Sequence, residues 1–127
     1  MTYTIRPSED GNYIEMKVVG EITRESSLGP NLEAHALGMK LGIHRYLVDA
    51  TEARNVETAV ANYQFAYQDM AQTPGLDPDA IAAFVVSPED HSHDFIETVL
   101  RNSGQSATLF RDREQAIRFL LEGMSKD

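Results

Sequence analysis

The residues best placed to do chemistry follow the two most apolar stretches of the sequence. Residues 45–50 and 81–86 are short, apolar and rich in β-forming side chains, which is typical of buried strands in a parallel sheet. Ligands of open α/β sheets gather beyond the carboxyl ends of such strands, because helix N-termini and loops converge there. The candidate binding residues at this edge are Asp49, Thr51, Glu52, Arg54, Asn55, Ser87 and Arg111.

These candidates divide between binding roles and structural roles. A guanidinium beside a helix start can bind an anion, which is the role we consider for Arg54 and Arg111. Asp49 would instead accept hydrogen bonds from N–H groups of the following loop. Asn55 and Ser87 are suited to cap the helices that follow them. The structural roles account for these residue types without a ligand.

Residues 91–94, His-Ser-His-Asp, combine side chains that occur in metal sites and hydrolase triads. We predict them on the first turn of a helix capped by Ser87. His91 and His93 are two positions apart, so they point in different directions and cannot easily share a metal. His91 and Asp94 have the spacing of a surface pair. The sequence also lacks a Gly-x-Ser-x-Gly elbow, and we predict no metal site, no cofactor and no catalytic residue.

Two other histidines are predicted in the interior. His35 falls on or beside the apolar face of the first predicted helix, and His44 precedes the central strand. Partly buried, hydrogen-bonded histidines are commoner than catalytic ones. We therefore predict structural roles for both.

The composition excludes several classes of partner. The 127 residues carry 20 Asp and Glu against 11 Lys and Arg, a formal net charge of −9. Nucleic acids and anionic membranes bind through clustered Lys and Arg, and no basic run lies along a predicted face. No stretch approaches the roughly 20 apolar residues that span a bilayer. We predict no nucleic-acid binding and no membrane insertion. The chain has no cysteine and no signal-peptide core, and a cytoplasmic location is the expectation.

The elements that position these residues follow from hydrophobic spacing and turn signals. The predicted elements are strands at 2–6 and 13–19, a helix between Pro30 and Gly42, a strand at 45–50, a helix at 56–70, a strand at 81–86, a helix from 88, a strand at 107–110, and a helix whose apolar residues run from Ala116 to Met124. Gly20 is predicted to end the second strand, and residues 51–55 are predicted to form a loop. The order ββαβαβαβα predicts one α/β domain, residues 1–127, with helical crossovers between parallel strands.

The helix predicted at 56–70 has one apolar stripe. Its members recur at steps of four and three: Val56, Val60, Tyr63, Tyr67 and Met70. We predict that this stripe packs on the sheet. Phe65 falls roughly on the opposite side, so we predict that it is exposed and available to a partner.

The chain resembles the STAS-like domains, the fold of bacterial anti-sigma factor antagonists. The resemblance rests on the opening hairpin with Gly20 after it, on the strands at 46–49 and 83–86, and on the ending at 107–120, where Phe110 precedes polar residues and an Ala-Ile pair. It covers nearly the whole chain and implies a STAS-like sheet with helices packed on it.

Members of that family that act as phosphorylation switches are similar to one another in an Asp-Ser-Ser-Gly-like motif before the second helix. The equivalent stretch here, residues 54–58, has no Ser and no Gly, and its one hydroxyl belongs to Thr58. Glu57 already places negative charge at that helix start. We therefore expect no serine phosphoswitch, and Thr58 is the sole phosphorylation candidate in the stretch.

The chain is more similar to stand-alone bacterial proteins of this fold, some of which resemble lipid-binding Sec14-type domains. That likeness implies binding rather than catalysis. Our first hypothesis is a non-enzymatic regulatory or interaction module that binds an unknown protein, or a second copy of itself, through the helix at 56–72 and the preceding loop. The alternative is a carrier for a small apolar molecule or lipid, with a pocket between the sheet and the helices. A hydrolase using Ser87 or Ser92 has the least support.

Overall fold

The computed structural model describes residues 1–122, and its elements occur in the predicted order. The strands are β1 (Thr2–Pro7), β2 (Ile14–Ile22), β3 (Arg45–Asn55), β4 (Ile81–Val85) and β5 (Ser106–Phe110). The helices are α1 (Arg24–Leu41), α2 (Ala59–Gln64), α3 (Asp94–Asn102) and α4 (Arg113–Glu122), and α2 continues into a π-helical segment, Phe65–Met70. None of these helices is long and apolar enough to cross a bilayer. Met124, which we predict on the last helix, lies outside the described residues.

The strands form one sheet in the order β1-β2-β3-β4-β5, so neighbours in sequence are neighbours in space. β1 and β2 pair antiparallel as the predicted hairpin, whereas β2, β3, β4 and β5 run parallel to one another. Parallel neighbours require crossover connections, which α1, α2 with its π-helical segment, and α3 supply. The α/β fold predicted from the alternation of elements is confirmed.

Successive residues of β3 pack into two different cores, one on each face of the sheet. Val48 and Ala50 pack with Ala34 of α1 on one face of the sheet. Leu47 packs with Leu120 of α4 on the other face. This division follows from the strand geometry, since successive side chains point to opposite faces. Helices α1, α2 and α3 therefore cover one face of the sheet, and α4 covers the other.

β2 and β3 are both longer than predicted. Gly20 has a φ of 104°, a conformation that glycine adopts without steric cost, and β2 continues through it to Ile22. β3 continues past Ala50, with Ala53 opposite Gly20 and Asn55 opposite Ile22. The predictions that Gly20 ends β2 and that residues 51–55 form a loop are wrong. Residues 19–22 and 51–55 project beyond β4 as a two-stranded extension. The sequence of this extension lacks the apolar alternation of a buried strand.

α1 begins at Arg24, upstream of the start predicted at Pro30. Thr23 caps the helix, because its hydroxyl accepts a hydrogen bond from the Ser26 N–H at 3.2 Å. In return Ser26 Oγ accepts one from the Thr23 N–H at 3.0 Å. This capping box satisfies N–H groups that a helix start leaves free. Pro30 instead lies buried inside the helix, while Gly42, with a φ of 72°, ends it as predicted.

The prediction of which face of the long helix is buried is wrong for the first half of the helix. Val60 is 67% exposed and Tyr63 is 51% exposed, whereas Phe65, predicted to be exposed, is 7% exposed. The cause is the π-helical segment, whose i→i+5 turns each hold more residues than an α-turn. The residues before this segment and those after it therefore do not share one face, as a constant helical step predicts. Tyr67 and Met70 accordingly pack against the core.

α3 begins at Asp94, later than the start predicted at Ser87. Residues 87–93 form turns in which the Asp90 N–H donates to the Ser87 carbonyl at 3.0 Å and the Asp94 N–H donates to the His91 carbonyl at 3.2 Å. Ser87 is therefore not the cap of this helix, and the predicted cap is wrong. His91 and His93 lie in the preceding loop rather than on a first helical turn.

A buried carboxylate organises the opposite edge of the sheet, where β3 and β4 begin. Asp77 Oδ2 accepts a hydrogen bond from the Tyr46 hydroxyl at 2.8 Å and lies 2.7 Å from His44 Nδ1. The Asp77 N–H donates to His35 Nδ1 at 2.9 Å. Burial lowers the pKa of His35, so its imidazole stays neutral with the proton on Nε2. These contacts give both histidines the hydrogen-bonded structural positions that we predict for them.

Candidate ligand-binding site

A largely apolar cavity of about 100 Å³ lies between the sheet and helices α1, α2 and α3. Its apolar walls are Met16, Val18, Val48, Ala50, Phe84 and Leu109 of the sheet and Phe65, Met70, Ile96 and Leu100 of the helices. Cavities of this kind take up small apolar molecules: one of about 150 Å³, lined by aliphatic and aromatic side chains, binds benzene. Phe65 thus faces a cavity inside the protein rather than the solvent.

Asn55 fixes the polar end of this cavity. Its N–H donates to Ser92 Oγ at 3.0 Å, and its Oδ1 accepts from the Glu57 N–H at 2.9 Å. Its Nδ2 donates to Asn62 Oδ1 at 3.0 Å. Because the Glu57 N–H can only donate, the Asn55 oxygen must face it, and this in turn orients the Asn62 amide. We predict Asn55 as a helix cap, but its side chain acts as this bridge instead.

His93 adds a second polar group to the same end of the cavity. Its Nε2 lies 3.1 Å from the Ala53 carbonyl oxygen and 3.3 Å from the Asp90 carboxylate. Both partners are acceptors, so Nε2 carries a proton, and Nδ1 of the neutral ring is an acceptor. Burial disfavours the charged form of Asp90, but hydrogen bonds from Ser92 and the nearby charge of Arg54 hold its pKa below the usual value.

Two charged residues that line the cavity make hydrogen bonds to the protein. Arg24 makes a paired contact with Asp69, with its Nε 2.8 Å from Oδ2 and its Nη2 3.0 Å from Oδ1. Its Nη1 also donates to Gln64 Oε1 at 2.8 Å. This planar fork ties the start of α1 to both α2 and the π-helical segment. The Glu97 carboxylate accepts a hydrogen bond from the backbone N–H of Leu109 on β5.

The residues predicted at the carboxyl ends of the strands do not all meet at this cavity. Asn55 lines it, but Asp49 and Thr51 contact each other, with Asp49 Oδ1 accepting from the Thr51 N–H at 3.0 Å and from its hydroxyl at 2.7 Å. Glu52 of the extension pairs with Lys17 of β2 at 2.7 Å. These contacts are the structural kind that we consider for Asp49.

Arg111 holds the loop before α3. Its Nη2 donates to the Asp90 carbonyl at 3.0 Å and lies 3.1 Å from His91 Nδ1 and 3.3 Å from Asp94 Oδ1. His91 and Asp94 form the predicted surface pair, with 3.0 Å between Nδ1 and Oδ2. Arg54 is exposed on the extension. A bound anion at Arg111 would therefore have to compete with Asp94, whose pKa the hydrogen bond from His91 already holds down.

The loop does not assemble a hydrolase triad among residues 1–122. The Ser92 hydroxyl accepts from the Asn55 N–H, whereas His91 faces Asp94 and Arg111. No hydrogen bond joins Ser87 or Ser92 to His91 within the part of the chain that the structure describes. The hydrolase alternative lacks the base that it requires.

Three potential metal ligands do lie together among residues 1–122, at the opposite edge of the sheet. One ligand atom from each of His44, Asp77 and Asp79 falls within 4.8 Å of the others. Both Asp77 oxygens already accept hydrogen bonds, from Tyr46 on Oδ2 and from the Asp79 N–H on Oδ1. The carboxylate is thus satisfied by the protein, which explains the grouping without a metal.

Thr58, the phosphorylation candidate, caps α2. Its side-chain oxygen accepts a hydrogen bond from the Ala61 N–H at 3.1 Å. The hydroxyl oxygen therefore serves the fold as a helix cap, the role for which threonine is suited at this position.

The sequence reasoning missed Asn62 and His93. Asn62 shares a spacing of three and four with Phe65 and Ala66, and all three are buried. An asparagine at the head of a buried stripe is a usable signal, because a buried amide needs partners. His93 offers no comparable signal, since its burial depends on the loop that we predict as helix.

No protein-family model matches the sequence, and no curated protein matches it either. A solved structure does: an uncharacterized protein of the DUF3478 family with a SpoIIAA-like fold, from Shewanella loihica PV-4. The two chains are 21% identical, the alignment covers 94% of this chain and 92% of the other, and the TM-score is 0.52. A likeness at this identity concerns the fold alone. With its five-stranded sheet and helical crossovers, this chain has the SpoIIAA-like fold of STAS-like domains.

Proposed function

We propose that this protein binds a small, predominantly apolar molecule in the cavity between the sheet and helices α1, α2 and α3. The observation that carries the proposal is the cavity of about 100 Å³ with apolar walls and a polar end at Asn55, Asn62 and His93. Apolar cavities with a few oriented polar groups are typical of ligand sites. The proposed role is binding without catalysis.

The position of Phe65 favours ligand binding over our first hypothesis. The helical spacing predicts that this side chain is exposed on a protein-binding surface. It is buried instead and forms part of the cavity wall with Met70 and Ile96. The aromatic ring of Phe65 therefore contributes apolar surface to the cavity, as the binding of an apolar ligand requires.

Ile96→Trp is expected to abolish binding of toluene, used as a small apolar probe. Ile96 lines the cavity, and an indole there would occupy much of the space. Binding is measured by titrating toluene and following the methyl resonances of Val48 and Leu100 by NMR. The wild-type chain has no tryptophan, so the emission of the new residue also reports whether it is buried.

Phe95→Trp is the matched control for this experiment. Phe95 is the adjacent residue of α3 and is exposed, so its replacement leaves the cavity unchanged. We expect toluene to shift the same methyl resonances in this variant as in the wild type. Two outcomes would refute ligand binding at this site. One is that toluene binds both tryptophan variants with equal affinity. The other is that neither toluene nor phenol, its hydroxyl analogue of similar volume, shifts any resonance of the cavity residues in the wild type.

A second candidate function is protein binding through the outward face of α2. Val60 and Tyr63 are exposed there, Val56 is exposed in the loop before the helix, and the Tyr63 ring stacks on Tyr67 with 4.4 Å between centroids. Exposed apolar groups on one helical face are typical of interaction surfaces. The net charge of −9 favours a basic partner and disfavours a second copy of the chain.

Val60→Ser/Tyr63→Ser is expected to weaken capture of a basic protein partner by at least about tenfold, because aromatic residues dominate interface energies. Recovery from lysate is quantified against Met39→Ser/Leu41→Ser, which removes two exposed apolar groups from the end of α1. Sedimentation at several concentrations tests for the homodimer. Equal recovery with both double variants, and no dimer, would remove this surface from consideration.

A further inference from the structure

The polar end of the cavity has two nitrogen atoms without a protein partner. Asn62 is 7% exposed and His93 is 6% exposed. Asn62 Oδ1 is taken by Asn55, and His93 Nε2 by Ala53 and Asp90. Within residues 1–122, neither Asn62 Nδ2 nor His93 Nδ1 makes a hydrogen bond. Each of these two nearly buried side chains therefore has hydrogen-bonding capacity to spare.

These two nitrogens must face open space. Every side-chain nitrogen or oxygen of residues 1–122 that is fully sealed inside the protein has a hydrogen-bond partner. Asn62 Nδ2 and His93 Nδ1 have none, so they are not sealed, yet their residues are almost wholly buried. Both residues line the cavity. The cavity gives these nitrogens an open space to face.

The chemical character of each nitrogen is determined by its neighbours. The Glu57 N–H orients Asn55, and Asn55 Nδ2 then requires an acceptor, which makes the bonded atom of Asn62 its oxygen. The remaining Asn62 atom is an NH₂ donor. The Ala53 carbonyl requires the proton of His93 on Nε2, so Nδ1 of the neutral ring is an acceptor. One donor and one acceptor therefore open to the same cavity.

Asn55 connects the two segments of the chain that carry these groups. Its side chain bonds Asn62, and its N–H bonds Ser92, the residue before His93. A hydroxyl group can accept one hydrogen bond and donate another at the same time. A ketone, an ether or a hydrocarbon would leave at least one of the two nitrogens unpaired.

We propose that the cavity selects a small apolar alcohol or phenol, whose hydroxyl oxygen accepts from Asn62 Nδ2 and whose proton is donated to His93 Nδ1. The inference rests on the proposed function and specifies its ligand class. The apolar walls take the hydrocarbon part, and the nitrogens of Asn62 and His93 take the hydroxyl. A site built to hydrogen-bond a hydroxyl rejects the analogue that lacks it, because its own polar groups then stay unpaired.

The test compares phenol with toluene, in which a methyl group replaces the hydroxyl at similar volume. Both are titrated at pH 8 into the wild-type protein and followed by NMR. We expect phenol to bind at least about tenfold more tightly than toluene. We also expect phenol, but not toluene, to shift the Asn62 side-chain NH₂ resonances.

Asn62→Leu is expected to reduce the preference for phenol over toluene to within about threefold, since the variant keeps the side-chain size and loses the donor. Asn102→Leu, the same substitution at an exposed position at the end of α3, should leave the preference unchanged. The wild-type comparison requires no variant, so it decides the matter even if Asn62→Leu does not fold. Equal affinity for the two probes would overturn the hydroxyl assignment and leave apolar binding intact, whereas no binding of either probe would overturn both.

Discussion

Gly38→Ala is expected to destabilise the protein by about 3 kcal/mol, although it adds a single methyl group. The new Cβ would lie 2.6 Å from the Ile43 carbonyl oxygen and 2.8 Å from Tyr46 Cζ, and it would overlap the Tyr46 hydroxyl. None of these atoms can move freely. The carbonyl is part of the backbone that leaves α1, and the tyrosine hydroxyl donates to the buried Asp77 carboxylate at 2.8 Å. Urea unfolding followed by circular dichroism measures the loss.

Gly29→Ala is the control for this substitution. Gly29 lies in the same helix, and a Cβ at that position meets no atom within 4 Å. Its effect reports backbone preferences alone, including the restriction that Pro30 imposes on the preceding residue. We expect a change within about 1 kcal/mol. Similar losses in the two variants would show that the contact of α1 with Tyr46 is not what demands glycine at position 38.

Asp77→Asn is expected to cost about 3 kcal/mol of folding free energy at pH 7. The Tyr46 hydroxyl and His44 meet one carboxylate oxygen, and the Asp79 N–H meets the other. An asparagine has one oxygen, so one of these groups would meet an NH₂. Asp79→Asn is the matched control, because that side chain is exposed and its N–H is unchanged. Equal stability of the two variants would contradict the organising role of Asp77.

The Asp77 carboxylate also makes the stability of the protein sensitive to acid. Burial disfavours the charge on Asp77, but hydrogen bonds from the Asp79 N–H, His44 and Tyr46 outweigh it and hold its pKa below the ordinary 3.8. A lowered pKa in the folded state stabilises the protein above the unfolded pKa, and this stability is lost as the pH falls through the folded value. Between pH 7 and pH 2 the wild type should therefore lose more stability than Asp77→Asn. Parallel pH profiles for the two proteins would contradict this.

The order and type of the elements could be predicted because each buried segment has its own pattern. β3 and β4 are apolar runs, and the Gly42 cap lies where a left-handed residue is needed. The lengths of β2 and β3 could not be predicted. In the extension, polar residues such as Glu52 pair through their backbones. Backbone pairing does not require hydrophobic side chains, so the hydrophobic pattern of the sequence does not reveal it.

The candidate site was only partly predictable for a different reason. The place of Asn55 beyond the central strand predicts it as a site residue. A constant helical step predicts Tyr63 on the inward face of α2, but the π-helical segment changes that step, and Asn62 and Phe65 are buried instead. A π-turn is a property of tertiary packing more than of local residue types. The relation between Asn62 and His93 depends on how β3 connects α2 to the loop before α3, which no single-segment pattern records.

Helix α4 also bears on how the protein is made. It is the one helix among residues 1–122 that covers the face of the sheet containing Leu47, Ala83 and Val85, and the Arg45 Nε donates to its Leu120 carbonyl at 2.6 Å. During synthesis all five strands leave the ribosome before this helix does. A nascent chain stalled before Arg113 would carry a sheet with one uncovered apolar face. Such a fragment would be a substrate for chaperones and proteases, so translation must reach α4 before the product can escape quality control.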